Sequence, residues 1–133
     1  MTTNSETKEK PAKVLVVDDE TLVRTMLCDG LAAAGHTAVP ASSGEEALRL
    51  AKSECPACVV LDIMMPNLDG YDTCAALKAD SETASLPVLL VSATTDGKVA
   101  ARAKQVGAAA VLRKPVRMDD LQRAISRALG ASA

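Results

Sequence analysis

Val14-Leu15-Val16-Val17-Asp18-Asp19 runs four aliphatic residues straight into two carboxylates. The same arrangement returns at Cys58-Val59-Val60-Leu61-Asp62 and, with a hydroxyl, at Val88-Leu89-Leu90-Val91-Ser92. Ala109-Ala110-Val111-Leu112 is a further apolar run, and Lys114 stands just beyond it. Continuous apolar runs, rather than alternating ones, are what parallel strands covered on both faces require. Set side by side in one sheet, these runs would bring Asp18, Asp19, Asp62, Ser92 and Lys114 to a single rim.

Longer amphipathic stretches separate the runs. Thr21–Ala34 places Val23, Met26, Leu27 and Leu31 on one helical stripe, with Gly35 as its stop. Glu45–Ser53 follows the turn-like Ser42-Ser43-Gly44, and Tyr71–Ala79 carries Tyr71, Cys74 and Leu77. Lys98–Val106 ends at Gly107, and Met118–Leu129 repeats Leu121, Ile125 and Leu129 at spacings of four. With the weaker run Thr37–Val39, five strands alternate with five helices. Right-handed crossovers then predict an α/β fold, a doubly wound five-stranded parallel sheet of flavodoxin-like (βα)5 type in the order 2-1-3-4-5. In that order the second strand is an edge, which agrees with Pro40 just after Val39.

At 133 residues the chain is one domain with a sizeable core. The spacing predicts a flexible polar tail over 1–12, the domain over 13–129 and a short tail over 130–133. Fifteen basic against 17 acidic residues give a net charge of −2, which argues against nucleic acid as a direct partner. No stretch approaches the ~18 apolar residues of a membrane span, and the first residues lack the apolar core of a signal peptide. A cytoplasmic, soluble chain with no membrane partner is expected. Its four cysteines are then reduced. Cys55-Pro56-Ala57-Cys58 reads as inert, because Cys58 begins an apolar run instead of opening a helix; His36 alone completes no zinc site. Tyr71 is the single aromatic residue, so the core must be aliphatic.

Three carboxylates on one rim repel, and at least one pKa must rise unless a cation joins them. Mg²⁺ suits, since it takes one or two carboxylates and leaves room for phosphate oxygens. Asp19 could alternatively cap the helix that begins at Thr21. A carboxylate held beside Mg²⁺ can attack phosphorus and form an acyl phosphate. The spread charge of the transferring group then needs fixed positive and donor groups, which Lys114 and Ser92 can supply.

Val16-Val17-Asp18-Asp19-Glu20, Leu61-Asp62-Ile63-Met64-Met65-Pro66 with Asp69-Gly70, Val91-Ser92-Ala93 and Arg113-Lys114-Pro115 resemble, in order and spacing, the motifs of the receiver domain of two-component response regulators. The resemblance runs from about Lys13 to Leu129. It implies that Asp62 accepts a phosphoryl group from a phosphohistidine on a histidine kinase or phosphotransfer protein. It further implies Mg²⁺ held by Asp19, Asp62 and the Met64 carbonyl, with Asp18 acting through water. Lys114 would pair with Asp62, Ser92 would bond the phosphoryl group and report it, and Lys114-Pro115 would be cis. Such a domain is no enzyme beyond supporting its own phosphorylation and dephosphorylation. His36 is expected to have only a surface role.

The chain departs from the family where an aromatic residue usually precedes the lysine by three positions, because Val111 stands there. Ser92 and the loop after it must then carry the switch. Gly107-Ala108-Ala109-Ala110 lacks the acidic residues of family members that dimerise through this face, so a monomer is expected before phosphorylation. Met64 and Thr94 cannot orient an attacking water well, which predicts at most moderate self-dephosphorylation. Arg117, Arg123 and Arg127 read as a solvated helix face sooner than as a partner surface. Three rivals remain: a degenerate receiver that only docks, an aspartate-nucleophile phosphatase, and a flavodoxin-like nucleotide binder. The phosphatase would need an acid/base Asp where Met64 stands. A nucleotide-binding flavodoxin-like domain would need a phosphate loop where Asp18-Asp19-Glu20 would repel phosphate.

Overall fold

Every apolar run read as a strand is one in the computed structural model, which describes residues 11–130. The tail expected over 1–12 lies outside the described residues up to Lys10, and the end of the C-terminal tail does so from Ala131. The order is β1 (Lys13–Val17), α1 (Thr21–Ala33), β2 (Thr37–Ala41), α2 (Gly44–Ser53), β3 (Cys58–Asp62), α3 (Gly70–Ala79), β4 (Val88–Ser92), α4 (Gly97–Gln105), β5 (Ala110–Arg113) and α5 (Met118–Gly130). All neighbours are parallel, in the order β2-β1-β3-β4-β5.

The strands sort their side chains by alternation. Leu15, Val17, Val59, Leu61 and Leu90 pack against α2, α3 and α4 through Ala47, Ala51, Cys74, Leu77 and Ala103. Val14, Val16, Val60, Leu89 and Val91 face α1 and α5 through Leu27, Leu31, Leu121 and Ile125. Each fully buried Leu, Ile or Val adds about 1.5–3 kcal/mol. Residues 58–62 and 88–92 are buried throughout, and so are those of β1 after Lys13. Those runs therefore had no reason to alternate polar and apolar residues. Gly30 of α1 leaves the room that Met118, at the start of α5, fills.

β2 runs through Pro40 rather than ending before it. The Thr37 N–H donates to the Ala12 carbonyl, and the Ala41 carbonyl accepts from the Asp18 N–H. Thr37 and Ala41 thus point their backbone groups at β1, and Pro40, one position off, turns its nitrogen to the open edge. The missing N–H costs no ladder bond there.

Three helices begin on side-chain caps. Ser43 Oγ accepts the Glu46 N–H of α2, Asp69 accepts the Asp72 N–H of α3, and Asp96 accepts the Lys98 and Val99 N–H groups of α4. In α1 the cap residue is Glu20, whose side chain makes no capping bond. The capping reading of Asp19 is therefore not what the fold uses. His36 is a second correction, since it is buried. Its Nδ1 accepts the Ala12 N–H at 3.0 Å, which leaves Nε2 to donate to Gln122 Oε1, also at 3.0 Å. The ring ties the entry of β1 to α5. Cys58 lies inside β3, and burial pushes its thiol up to about 12.

Candidate functional site

Because the strands are parallel, their C-terminal ends share one edge of the sheet, and the winding reverses between β1 and β3. Val17 pairs with Leu61 across that pair, so Asp18 and Asp62 leave adjacent strands at the same level. One carboxylate oxygen from each of Asp18, Asp19 and Asp62 lies within 4.8 Å of the others. Asp18 and Asp62 are only 1 % and 3 % exposed, whereas Asp19 opens to solvent. Hard oxygen donors, two buried and one accessible, suit a small divalent cation that keeps some of its water.

β5 delivers the balancing cation. The Lys114 N–H donates to the Ser92 carbonyl, which extends the β4–β5 ladder by one bond and fixes where the side chain starts. Lys114 Nζ then reaches Asp62 Oδ1 at 3.1 Å and Asp18 Oδ2 at 3.7 Å. The following Lys114-Pro115 bond is cis. Burial and the charge of Asp18 raise the Asp62 pKa above the ordinary aspartate value; Lys114 and the Met64 N–H oppose this without cancelling it. Burial alone would lower the Lys114 pKa, but the hydrogen bond and charge of Asp62, with Asp18 and Glu20, leave it raised. Both shifts describe the same conflict, two carboxylates sharing one ammonium.

Ser92 is buried one residue past the Asp62–Val91 pair. Its Oγ accepts the Thr94 N–H at 3.2 Å, which directs it toward the loop ahead of α4. Met64, two residues beyond Asp62, exposes its side chain at 74 %. The role of Gly70 was not evident from sequence. A Cβ there would lie 2.5 Å from the Asp62 carbonyl oxygen and 2.6 Å from Ile63 Cα. The Gly70 N–H also donates to the Ile63 carbonyl at 2.8 Å. Only a residue without a side chain lets α3 start against the end of β3.

Met26 does not belong to the buried stripe of α1. It is 62 % exposed, and Leu22, one turn earlier, is 72 % exposed. Val23, Leu27 and Leu31, at spacings of four, make the packed face, and Met26 sits about 100° off it. Met26 instead borders an open crevice of about 400 Å³ whose other walls include Val91, Pro115, Val116 and the stem of Lys114.

Comparison with known proteins agrees with this arrangement. The family model described as "Response regulator receiver domain" matches residues 14–126. A probable transcriptional regulator, ycf27, of Guillardia theta is 40% identical over 93% of this chain and 46% of its own length. PilH of Pseudomonas aeruginosa is 33% identical over 89% of this chain and 98% of its own. The chain thus spans about half the length of relatives such as ycf27 and nearly all of PilH. The chemotaxis protein CheY4 of Vibrio cholerae superposes with a TM-score of 0.86 at 31% identity, covering 90% of this chain and all of that one. By sequence and by fold alike, the chain belongs to the response regulator receiver domains of two-component signalling.

Proposed function

We propose that Asp62 is the phosphoacceptor of this receiver, supplied by a histidine kinase or phosphotransfer protein. The observation that carries the reading is the pairing of buried Asp62 with Lys114 at 3.1 Å inside the three-carboxylate cluster. An Asp62 oxygen forms the bond to phosphorus as the donor's P–N bond breaks, and the electron pair leaves with the imidazole. Lys114 stays paired with the charge that moves onto the phosphoryl oxygens. Mg²⁺, held by Asp19, Asp62 and the Met64 carbonyl with Asp18 alongside through water, would supply further charge neutralisation there. The test is incubation with acetyl phosphate and Mg²⁺, which should add one acid-stable, base-labile phosphoryl group, mapped by peptide mass to Asp62. Persistent absence of the adduct would favour the degenerate docking module.

Leu22 and Met26 of α1, and Met64 in the loop two residues past Asp62, expose apolar side chains, and Met26 shares a crevice with Lys114, the partner of Asp62. Exposed apolar groups around a reactive carboxylate are what a protein donor would cover, whereas acetyl phosphate gains nothing from them. Met26→Asp is expected to slow transfer from the cognate protein donor about tenfold or more. Labelling by acetyl phosphate should be unchanged; equal slowing of both reactions would contradict a docking role.

Ser92 is proposed to release the Thr94 N–H and donate its own proton to a phosphoryl oxygen, which pulls on the loop ahead of α4. Val111 is half-buried and cannot swing as a ring would. Ser92→Ala should therefore abolish the beryllofluoride-induced amide shifts of α4, and Val111→Ala should leave them largely intact. Loss of those shifts in Val111→Ala alone would refute the assignment. Four free thiols agree with work in the reducing cytoplasm. The unphosphorylated chain is proposed to be a monomer, and the lack of a water-orienting group at Met64 or Thr94 points to moderate self-dephosphorylation.

A further inference from the structure

Asp18 and Asp19 stand in the short turn between β1 and α1. The usual fastening of such a turn is missing, because α1 has no side-chain cap at Glu20 and no acidic residue in its first turn. Asp19 is exposed, and none of the ion pairs among the described residues involves it. Its carboxylate nevertheless meets those of Asp18 and Asp62 within 4.8 Å. The backbone that carries it must be fixed from elsewhere.

Arg24, one turn into α1, supplies the tie. Its Nη1 donates to the Asp18 backbone carbonyl at 2.7 Å, and its Nη2 donates to Thr21 Oγ1 at 3.3 Å. The guanidinium thus bridges the turn and the first residue of α1. The Asp18 carbonyl and the Asp19 nitrogen share one peptide plane, so holding the first sets the direction in which Asp19 leaves. The other polar groups of Asp18 are engaged as well. Its N–H donates to the Ala41 carbonyl, its Oδ1 accepts the Glu20 N–H at 2.9 Å, and its Oδ2 lies 3.7 Å from Lys114 Nζ. Arg24 takes part in none of the ion pairs among the described residues, although it bonds a residue that carries one of the rim carboxylates. An arginine placed to neutralise the rim would fork onto a carboxylate; this one holds the backbone instead.

We infer that Arg24 is a positioning residue of the metal site, strapping the Asp18–Asp19 turn so that the Asp19 carboxylate is set for the cation in advance. The inference rests on the Mg²⁺ reading above and adds a residue that touches neither the ion nor the phosphoryl group. Mg²⁺ requires near-octahedral oxygen geometry, so a ligand on an untied turn must be ordered as the ion binds, at a cost in affinity. Removing a group that orients a metal ligand weakens binding by about 10–100-fold. The charge of Arg24 acts in the opposite direction, since a cation near the rim repels Mg²⁺. The two effects give opposite signs for the same substitution, which makes them separable.

The test is titration calorimetry of the full chain with MgCl₂, on the parent, Arg24→Ala, Arg24→Lys and the charge control Arg49→Ala. Arg49 is exposed on α2 and pairs with Glu46. Arg24→Ala should bind Mg²⁺ about tenfold more weakly than the parent. Arg24→Lys keeps the charge and one donor for the Asp18 carbonyl, and should recover most of that loss. Arg49→Ala should bind as the parent does or slightly more tightly. In ¹⁵N spectra without Mg²⁺, Arg24→Ala should shift the amides of Asp19 and Glu20 and leave those of α3 and β4 in place. Shifts spread through the whole sheet would mark Arg24 as a general support of the fold and overturn the inference. An alanine variant that binds Mg²⁺ as tightly as the parent, or more tightly, would overturn it while leaving the cation site standing. A lysine variant as weak as the alanine one would do the same. A parent that binds no Mg²⁺ would overturn both the inference and the cation reading beneath it.

Discussion

Asp62→Asn is expected to leave no phosphoryl adduct after treatment with acetyl phosphate and Mg²⁺, because an amide oxygen at this site is not a competent nucleophile. The same change should stabilise the metal-free fold. Burial and Asp18 raise the pKa of Asp62 in the folded chain. Between the ordinary aspartate value and that raised one, the folded state binds more protons than the unfolded state. Stability therefore falls as pH rises through this window, and the deficit persists above it. Asparagine is neutral throughout. Without Mg²⁺ at neutral pH, the variant should exceed the parent by on the order of 1 kcal/mol, after allowing for its weaker bond to Lys114. The two should converge as pH falls below the folded-state pKa of Asp62. Added Mg²⁺ should reverse the ranking by binding the parent more tightly. Urea unfolding at several pH values, with and without Mg²⁺, measures all of this. A parent that is the more stable of the two without Mg²⁺ at neutral pH would show that the carboxylates are not in conflict.

Gly70→Ala should damage fold and site together. The added Cβ meets the Asp62 carbonyl oxygen at 2.5 Å, Ile63 Cα at 2.6 Å and the Asp62 carbonyl carbon at 3.0 Å. All three are backbone atoms at the end of β3, so no side-chain rotation relieves the contact. A loss of about 2–4 kcal/mol is expected, with slower labelling by acetyl phosphate because the displaced atoms belong to Asp62 and its neighbour. Gly97→Ala is the control. Nothing lies within 4 Å of its Cβ, and the change should be neutral or slightly stabilising. Equal stabilities of the Gly70→Ala and Gly97→Ala variants would show that α3 can shift freely away from β3.

The strand order and the convergence of Asp18, Asp62 and Lys114 were legible because each strand is an unbroken apolar run with a reactive group at its end. Parallel pairing leaves one edge on which such groups can meet. Pro40 marked the edge strand correctly but not its length, since a proline is allowed inside a strand when its nitrogen faces outward. Met26 was misread because one position around a helix separates a buried side chain from an exposed one, and apolarity alone does not say which. His36 looked incidental for a different reason. Its partners, Ala12 and Gln122, stand far away in the chain, 24 and 86 positions from it.

What the sequence by itself determined is the sheet, its winding and the identity of the rim residues, since these follow from local periodicity and from where each run stops. Only the tertiary structure decided which distant surfaces meet: α3 against the end of β3 at Gly70, His36 between β1 and α5, and Met118 of α5 in the space that Gly30 of α1 leaves. Those outcomes depend on the sizes of side chains brought together from separate segments. Periodicity records which face of an element is apolar, but not the space left when two such faces pack.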